Sequence, residues 1–245
     1  MGAFDQASLI VIPFGTDAVA PELISITETA DGFAVDCRIA HVVLDRTDAR
    51  PLRLNGGGLE FGEPPPLPQM PEVDQQLDYL LAHFQRYCSV WDRYPRAFLT
   101  SYFAFIHRHI MDNRRELAQS LARFEDLYRF DQWAFSAPRP LPRAHPMARD
   151  AGDGFLPRVD FAFWTGSEIV AIDLIGSATR GKAHEERRAV LARNGVKVIE
   201  IPHGILDSAH EGDFAAALPA EFHRFWETEP LPSGPFKTAP LPEIS

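Results

Sequence analysis

Residues 155–202 read FLPRVDFAFWTGSEIVAIDLIGSATRGKAHEERRAVLARNGVKVIEIP. Two short apolar runs, 159–164 and 168–175, flank Thr165-Gly166-Ser167, which is turn chemistry between neighbouring antiparallel strands. A charged helix is expected over 182–193, ended by Asn194-Gly195, where glycine supplies the left-handed stop. A third apolar run, 196–201, follows and stops at Pro202. The first two runs each contain one carboxylate, Asp160 and Asp173. Asp173 lies among Ile169, Val170, Ala171, Ile172, Leu174 and Ile175, where a bare carboxylate is costly to desolvate. A single acid of this kind is commonly hydrogen-bonded to backbone or paired with an arginine. Two acids on adjacent strands can instead converge on one point. An oxygen-only pair suits Mg²⁺, which keeps several waters and needs few protein ligands.

Upstream, residues 72–90 have a helical period, with Val73, Leu77, Leu80, Leu81 and Phe84 on one face. A second helix is expected over 96–110 behind Pro95, and its aromatics Phe98, Tyr102, Phe103 and Phe105 fit packing better than base stacking. Asp112 can cap a third helix over 113–130. There Glu116 and Glu125 read as a solvated face. Residues 133–143 read as a strand bent by Pro138, Pro140 and Pro142. The polar loop 144–154 carries His145 and Asp153. Residues 1–62 form a small β-rich unit: runs at 8–14, 23–29, 33–43 and 52–54, with Ala30-Asp31-Gly32 as a hairpin turn. Asn55-Gly56-Gly57-Gly58 lacks the Lys and Ser/Thr of a phosphate loop and reads as a turn. The run 63–68, EPPPLP, is a stiff spacer. A helix is expected over 213–227. The organisation is therefore a β-rich unit at 1–62, a helical segment at 72–111, an α/β domain at 112–229 and a Pro-rich tail at 230–245.

The 245 residues carry a formal charge of −10, which argues against capture of nucleic acid by the whole surface. Arginines nevertheless concentrate in the 139–193 region, including Arg139, Arg143, Arg158, Arg180, Arg187 and Arg188. Cys37 and Cys88 lack zinc or disulfide spacing. The chain shows neither a leader-like N-terminus nor an apolar run long enough for a membrane span, so a cytoplasmic location is expected.

The element order across 112–206 resembles the core of the PD-(D/E)XK, or restriction-endonuclease-like, nuclease superfamily. So do the segments Arg158-Val159-Asp160-Phe161 and Ala171-Ile172-Asp173-Leu174-Ile175-Gly176. The nearest branch is the very-short-patch-repair-type endonucleases, whose helix pattern is matched by Glu185, Arg188 and Leu191, then Gly195 and 196–201. The resemblance implies an α-β-β-β-α-β core with a mixed sheet, preceded here by the β-rich unit and a helical insert. It implies Mg²⁺ or Mn²⁺ on Asp160 and Asp173, and hydrolysis of DNA. The superfamily's lysine, two residues after the second acid, falls at Ile175. Arg180, Lys182 or His184 are then the candidates to act in its place, with Glu185 as a further acid. The alternative is a catalytically degenerate nuclease fold serving as scaffold or partner subunit in a nucleic-acid-handling or phage-defence complex. The acidic surface and Pro-rich tail would then dock a protein or a second copy. No Ser-His-Asp arrangement or cofactor motif favours another enzyme class.

Overall fold

The computed structural model describes residues 9–29, 32–45, 72–122, 129–147, 154–165, 168–176, 181–208 and 211–224. In chain order they form β1 (Leu9–Pro13), β2 (Ile24–Thr29), β3 (Gly32–Cys37), β4 (His41–Asp45), α1 (Val73–Gln85), α2 (Arg93–Asp112) and α3 (Arg114–Leu121). Then come β5 (Leu141–Ala144), β6 (Val159–Trp164), β7 (Ile169–Ile175), α4 (Lys182–Arg193), β8 (Val196–Pro202), α5 (His203–Asp207) and α6 (Glu211–Ala217). The fold is mixed α and β around a four-stranded sheet ordered β5-β6-β7-β8. β5, β6 and β7 pair antiparallel, and β8 joins β7 in parallel. A parallel partner needs a crossover, and α4 supplies it. Among the described residues no helix is long and apolar enough to cross a membrane.

β7 is buried along its whole length, as a central strand covered on both faces must be. On one face α2 packs its aromatic stripe: the Phe98 ring lies 4.5 Å from Phe161, and Tyr102 lies 5.4 Å from Phe163. Phe222 closes that layer at 4.7 Å from Phe163. Successive side chains of a strand alternate between faces, so Asp160, the neighbour of Phe161, belongs to the opposite face. α4 covers that opposite face. It begins behind Gly181 and ends at Asn194-Gly195, with Gly195 at φ 77°.

β1 reaches this sheet through hydrogen bonds, and β1 with Val42 of β4 shares its core. Gly15 N–H donates to Pro142 O at 2.8 Å, His145 N–H to Pro13 O at 2.8 Å, and Met147 N–H to Val11 O at 2.9 Å. β1 thus lies between β4 and the outer edge of β5. Ile10, Ile12 and Phe14 pack in one hydrophobic cluster with Leu77, Phe98 and Phe163. The spacer at 63–68, the glycine turn at 55–58, the strand expected at 52–54 and the tail at 230–245 lie outside the described residues, as do Glu125 and Asp153.

Several local expectations shift. The run expected as one strand over 33–43 divides into β3 and β4, with Cys37 Sγ donating to Ile39 O across the break. The strand expected over 133–143 is a 3₁₀ helix, Phe130–Ser136, followed by the four residues of β5. Trp133 and Ala134 bury themselves from that helix. Pro138 and Pro140 have no N–H for a ladder. The helix expected over 213–227 is Glu211–Ala217, which ends before Pro219.

Candidate functional site

β7 and β8 run in register with Asp173 opposite Glu200. β6 pairs Phe161 with Ile172 and Ala162 with Ala171. Continuing that register by one residue sets Asp160 across from Asp173. Asp160, Asp173 and Glu200 therefore form a row over three strands on the face under α4. β5 adds a distortion beside the row. Its pairing runs Pro142 with Phe161 and Ala144 with Val159, so Arg143 lies across from Asp160 with a left-handed φ of 50°. That conformation is uncommon for a residue with a side chain and costs about 1–2 kcal/mol.

α4 meets the row with one face. At roughly 100° per residue, positions 184, 187, 188 and 191 share that face. Leu191 is buried there. Arg187 Nη2 donates to Asp173 Oδ2, and its Nη1 donates to the backbone carbonyl of Arg158 at 2.6 Å. His184 Nε2 lies 2.9 Å from Glu200 Oε1, and Arg188 Nη1 lies 2.8 Å from the same oxygen. Asp160 Oδ2 accepts the N–H of Leu174 at 2.8 Å. Burial raises the Asp160 pKa above the ordinary carboxylate value, and the nearby Asp173 charge adds to the rise; the Leu174 N–H opposes it. Asp173 is 2% exposed, and its Oδ1 is buried with no hydrogen-bond partner. At the outer edge Asp17 bridges Arg143 and Arg158, each at 2.6 Å, and these two cations lower its pKa.

Of the residues singled out in the sequence, Asp160 and Asp173 come together, and His184 sits one strand away on Glu200. Lys182 does not join them: its side chain is 89% exposed and reaches Glu186 at 3.6 Å. It starts α4 on the side turned away from the sheet. Glu185 is exposed and one step round the helix from the inward face. Arg180 lies outside the described residues. Ile175, where the resemblance leads one to expect a lysine, is buried and pairs with Pro202. Glu200 and Arg187 were not among the expected site residues. Glu200 carried the same signal as Asp173, a carboxylate inside the apolar run VKVIEIP. Arg187 had no signal of its own, because only the packing of α4 distinguishes it from Arg188.

A divalent ion can be tested against this donor set. With Asp160 Oδ2 on the backbone and Asp173 Oδ2 on Arg187, Oδ1 of each acid is the oxygen left for a ligand. The orphaned Asp173 Oδ1 is the kind of atom a cation or ordered water satisfies. Two carboxylate oxygens suffice for Mg²⁺ or Mn²⁺ that keeps its waters. Among the described residues no group of three or more His, Cys, Asp or Glu side chains is placed to hold a metal. No protein-family model matches the chain, and neither a curated protein nor a solved structure matches it.

Proposed function

We propose that the protein is a metal-dependent nuclease acting on DNA, with its centre at Asp160 and Asp173. The observation that carries this reading is the pairing of two acids, one with an unpartnered buried oxygen, on adjacent strands of a three-strand meander. The helix crossover to a parallel fourth strand adds support, since the superfamily resembled by residues 112–206 has this order. Asp160 and Asp173 would hold Mg²⁺ or Mn²⁺, which there would supply charge to a phosphodiester and an acidified water. Arg158 and Arg188, both partly exposed beside the row, are suited to phosphate oxygens through their planar donor forks. Glu200 accepts from His184 Nε2, which holds the imidazole beside the row of acids. The Leu174 N–H fixes the Asp160 carboxylate without a second charged partner.

A second reading also has a specific observation behind it. Ile175 is buried where the superfamily has its lysine, which favours a nuclease fold without catalysis that serves as a partner subunit.

The test is cleavage of single- and double-stranded DNA and RNA with Mg²⁺ or Mn²⁺ by wild type and Asp160→Asn. The asparagine keeps an oxygen for the Leu174 N–H, so the fold survives while the charge is lost. Metal-dependent cutting abolished by the substitution supports the nuclease. Absence of both cutting and nucleic-acid binding in folded wild type overturns it in favour of the partner subunit.

A further inference from the structure

We propose that Arg187 is a built-in competitor for the cation: its guanidinium holds the Asp173 carboxylate through Oδ2, and a divalent ion bound at the unpartnered Oδ1 has to compete with that positive charge. The inference rests on the metal-dependent reading above and concerns how that site is kept closed.

Three observations lead to it. Arg187 is a two-pronged tie, with one nitrogen on Asp173 Oδ2 and the other on the Arg158 carbonyl at the start of β6. One guanidinium therefore spans the two strands that carry the two acids. Second, Asp173 Oδ1 remains buried and unpartnered although Arg187 holds Oδ2, and Asp160 is held through Oδ2 by the Leu174 N–H. A divalent ion between the two acids would satisfy the oxygens that these contacts leave over. Third, the two partners differ in exposure. Asp173 is 2% exposed, whereas the Arg187 side chain is 25% exposed. The acid is fixed in the central strand, and the guanidinium is the partner with a route to water, from a helix whose other contacts to the row are those of His184 and Arg188. An arginine stays protonated throughout the ordinary pH range, so this competitor acts by position and not by titration.

The experiment measures Mn²⁺ binding by water-proton relaxation and by thermal shift, with Mn²⁺ alone as the probe. The proteins are wild type, Arg187→Gln, Arg187→Ala and Arg187→Gln with Asp160→Asn. Glutamine keeps an N–H for Asp173 Oδ2 and removes the charge, so it serves where alanine leaves the acid too poorly held to fold. The expected result is Mn²⁺ affinity tighter by about tenfold or more in Arg187→Gln. A larger Mn²⁺-induced rise in Tm should accompany it, and both gains should vanish in the double variant. Equal affinity in wild type and Arg187→Gln overturns the competition and leaves the nuclease reading standing. No Mn²⁺ binding by any folded variant overturns both.

Discussion

The two faces of the central sheet are built on opposite principles. Under α2 the contact is apolar and aromatic, with Phe98, Tyr102, Phe161, Phe163 and Phe222 packed within ring contact of one another. Under α4 the buried Leu191 is joined by an ionic layer, with Asp173 and Glu200 meeting Arg187, His184 and Arg188. Burying apolar surface stabilises in proportion to area without directional demands. Burying ion pairs gives back much of its Coulomb gain in desolvation, and little is left once a partner is lost. The α2 face therefore carries the stability, and the α4 face spends it on an arrangement of charge that a hydrophobic layer would not require. That asymmetry is the physical ground for placing the proposed site under α4.

The largest expected effect belongs to the aromatic face. Phe163→Ala removes a fully buried ring and should cost about 3–5 kcal/mol in urea unfolding, with little dependence on salt. A loss under 1 kcal/mol would mean that this layer is not the stabilising one. Next comes the ionic face. Arg187→Ala leaves the Asp173 charge buried and should cost about 3 kcal/mol, whereas Arg187→Met with Asp173→Leu should return to wild-type stability or exceed it. A double variant no better than the single one would erase the contrast between the faces. Glu200→Gln loses the charge shared by His184 and Arg188 and should cost about 1 kcal/mol, a cost that shrinks at high salt.

A smaller effect tests the sign of the Asp160 charge. Its folded pKa is raised, so the folded state holds a proton that the unfolded chain has already released. Its contribution is therefore full below the ordinary carboxylate range and declines as pH rises through the raised value. Asp160→Asn should be more stable than wild type at neutral pH and show a flatter slope through that window in a pH series of urea titrations. His83 and His145 run the other way. Burial lowers both from 6.5, so their contribution is intact above that pH and is lost as pH falls through the lowered values. The smallest effect is set by Trp91, which is 94% exposed between α1 and α2. Trp91→Ala should leave stability within about 0.5 kcal/mol, as for a surface substitution away from packing features.

The legible parts of the fold were those fixed by local chemistry. The Asn194-Gly195 stop, the 3.6-residue stripes of α1 and α2, and the order of β6, β7, α4 and β8 follow from side chains near in sequence. The segment leading into β5 was less legible because Trp133 and Ala134, apolar enough for a strand, find their burial from a 3₁₀ helix against α2. At the site, Asp160 and Asp173 stood out because carboxylates in apolar runs need a reason. Arg187 did not, since its partner Asp173 lies 14 residues away and only the seating of α4 selects it over Arg188. The link of β1 to residues 142–147 was invisible because backbone hydrogen bonds leave no residue signature.

That link has a consequence for synthesis. A ribosome produces LIVIP long before it produces the segment at 142–147 that β1 bonds to, at roughly 5–20 residues per second. Through that interval the apolar strand has β4 on one side and an unsatisfied edge on the other, which is the geometry that recruits strands from other chains. Expression yield of this protein should accordingly respond to holdase chaperones and to slower, cooler translation. A charged substitution at Ile12, which is fully buried in the finished protein, should reduce aggregation of nascent chains stalled before residue 140 while destabilising the completed fold.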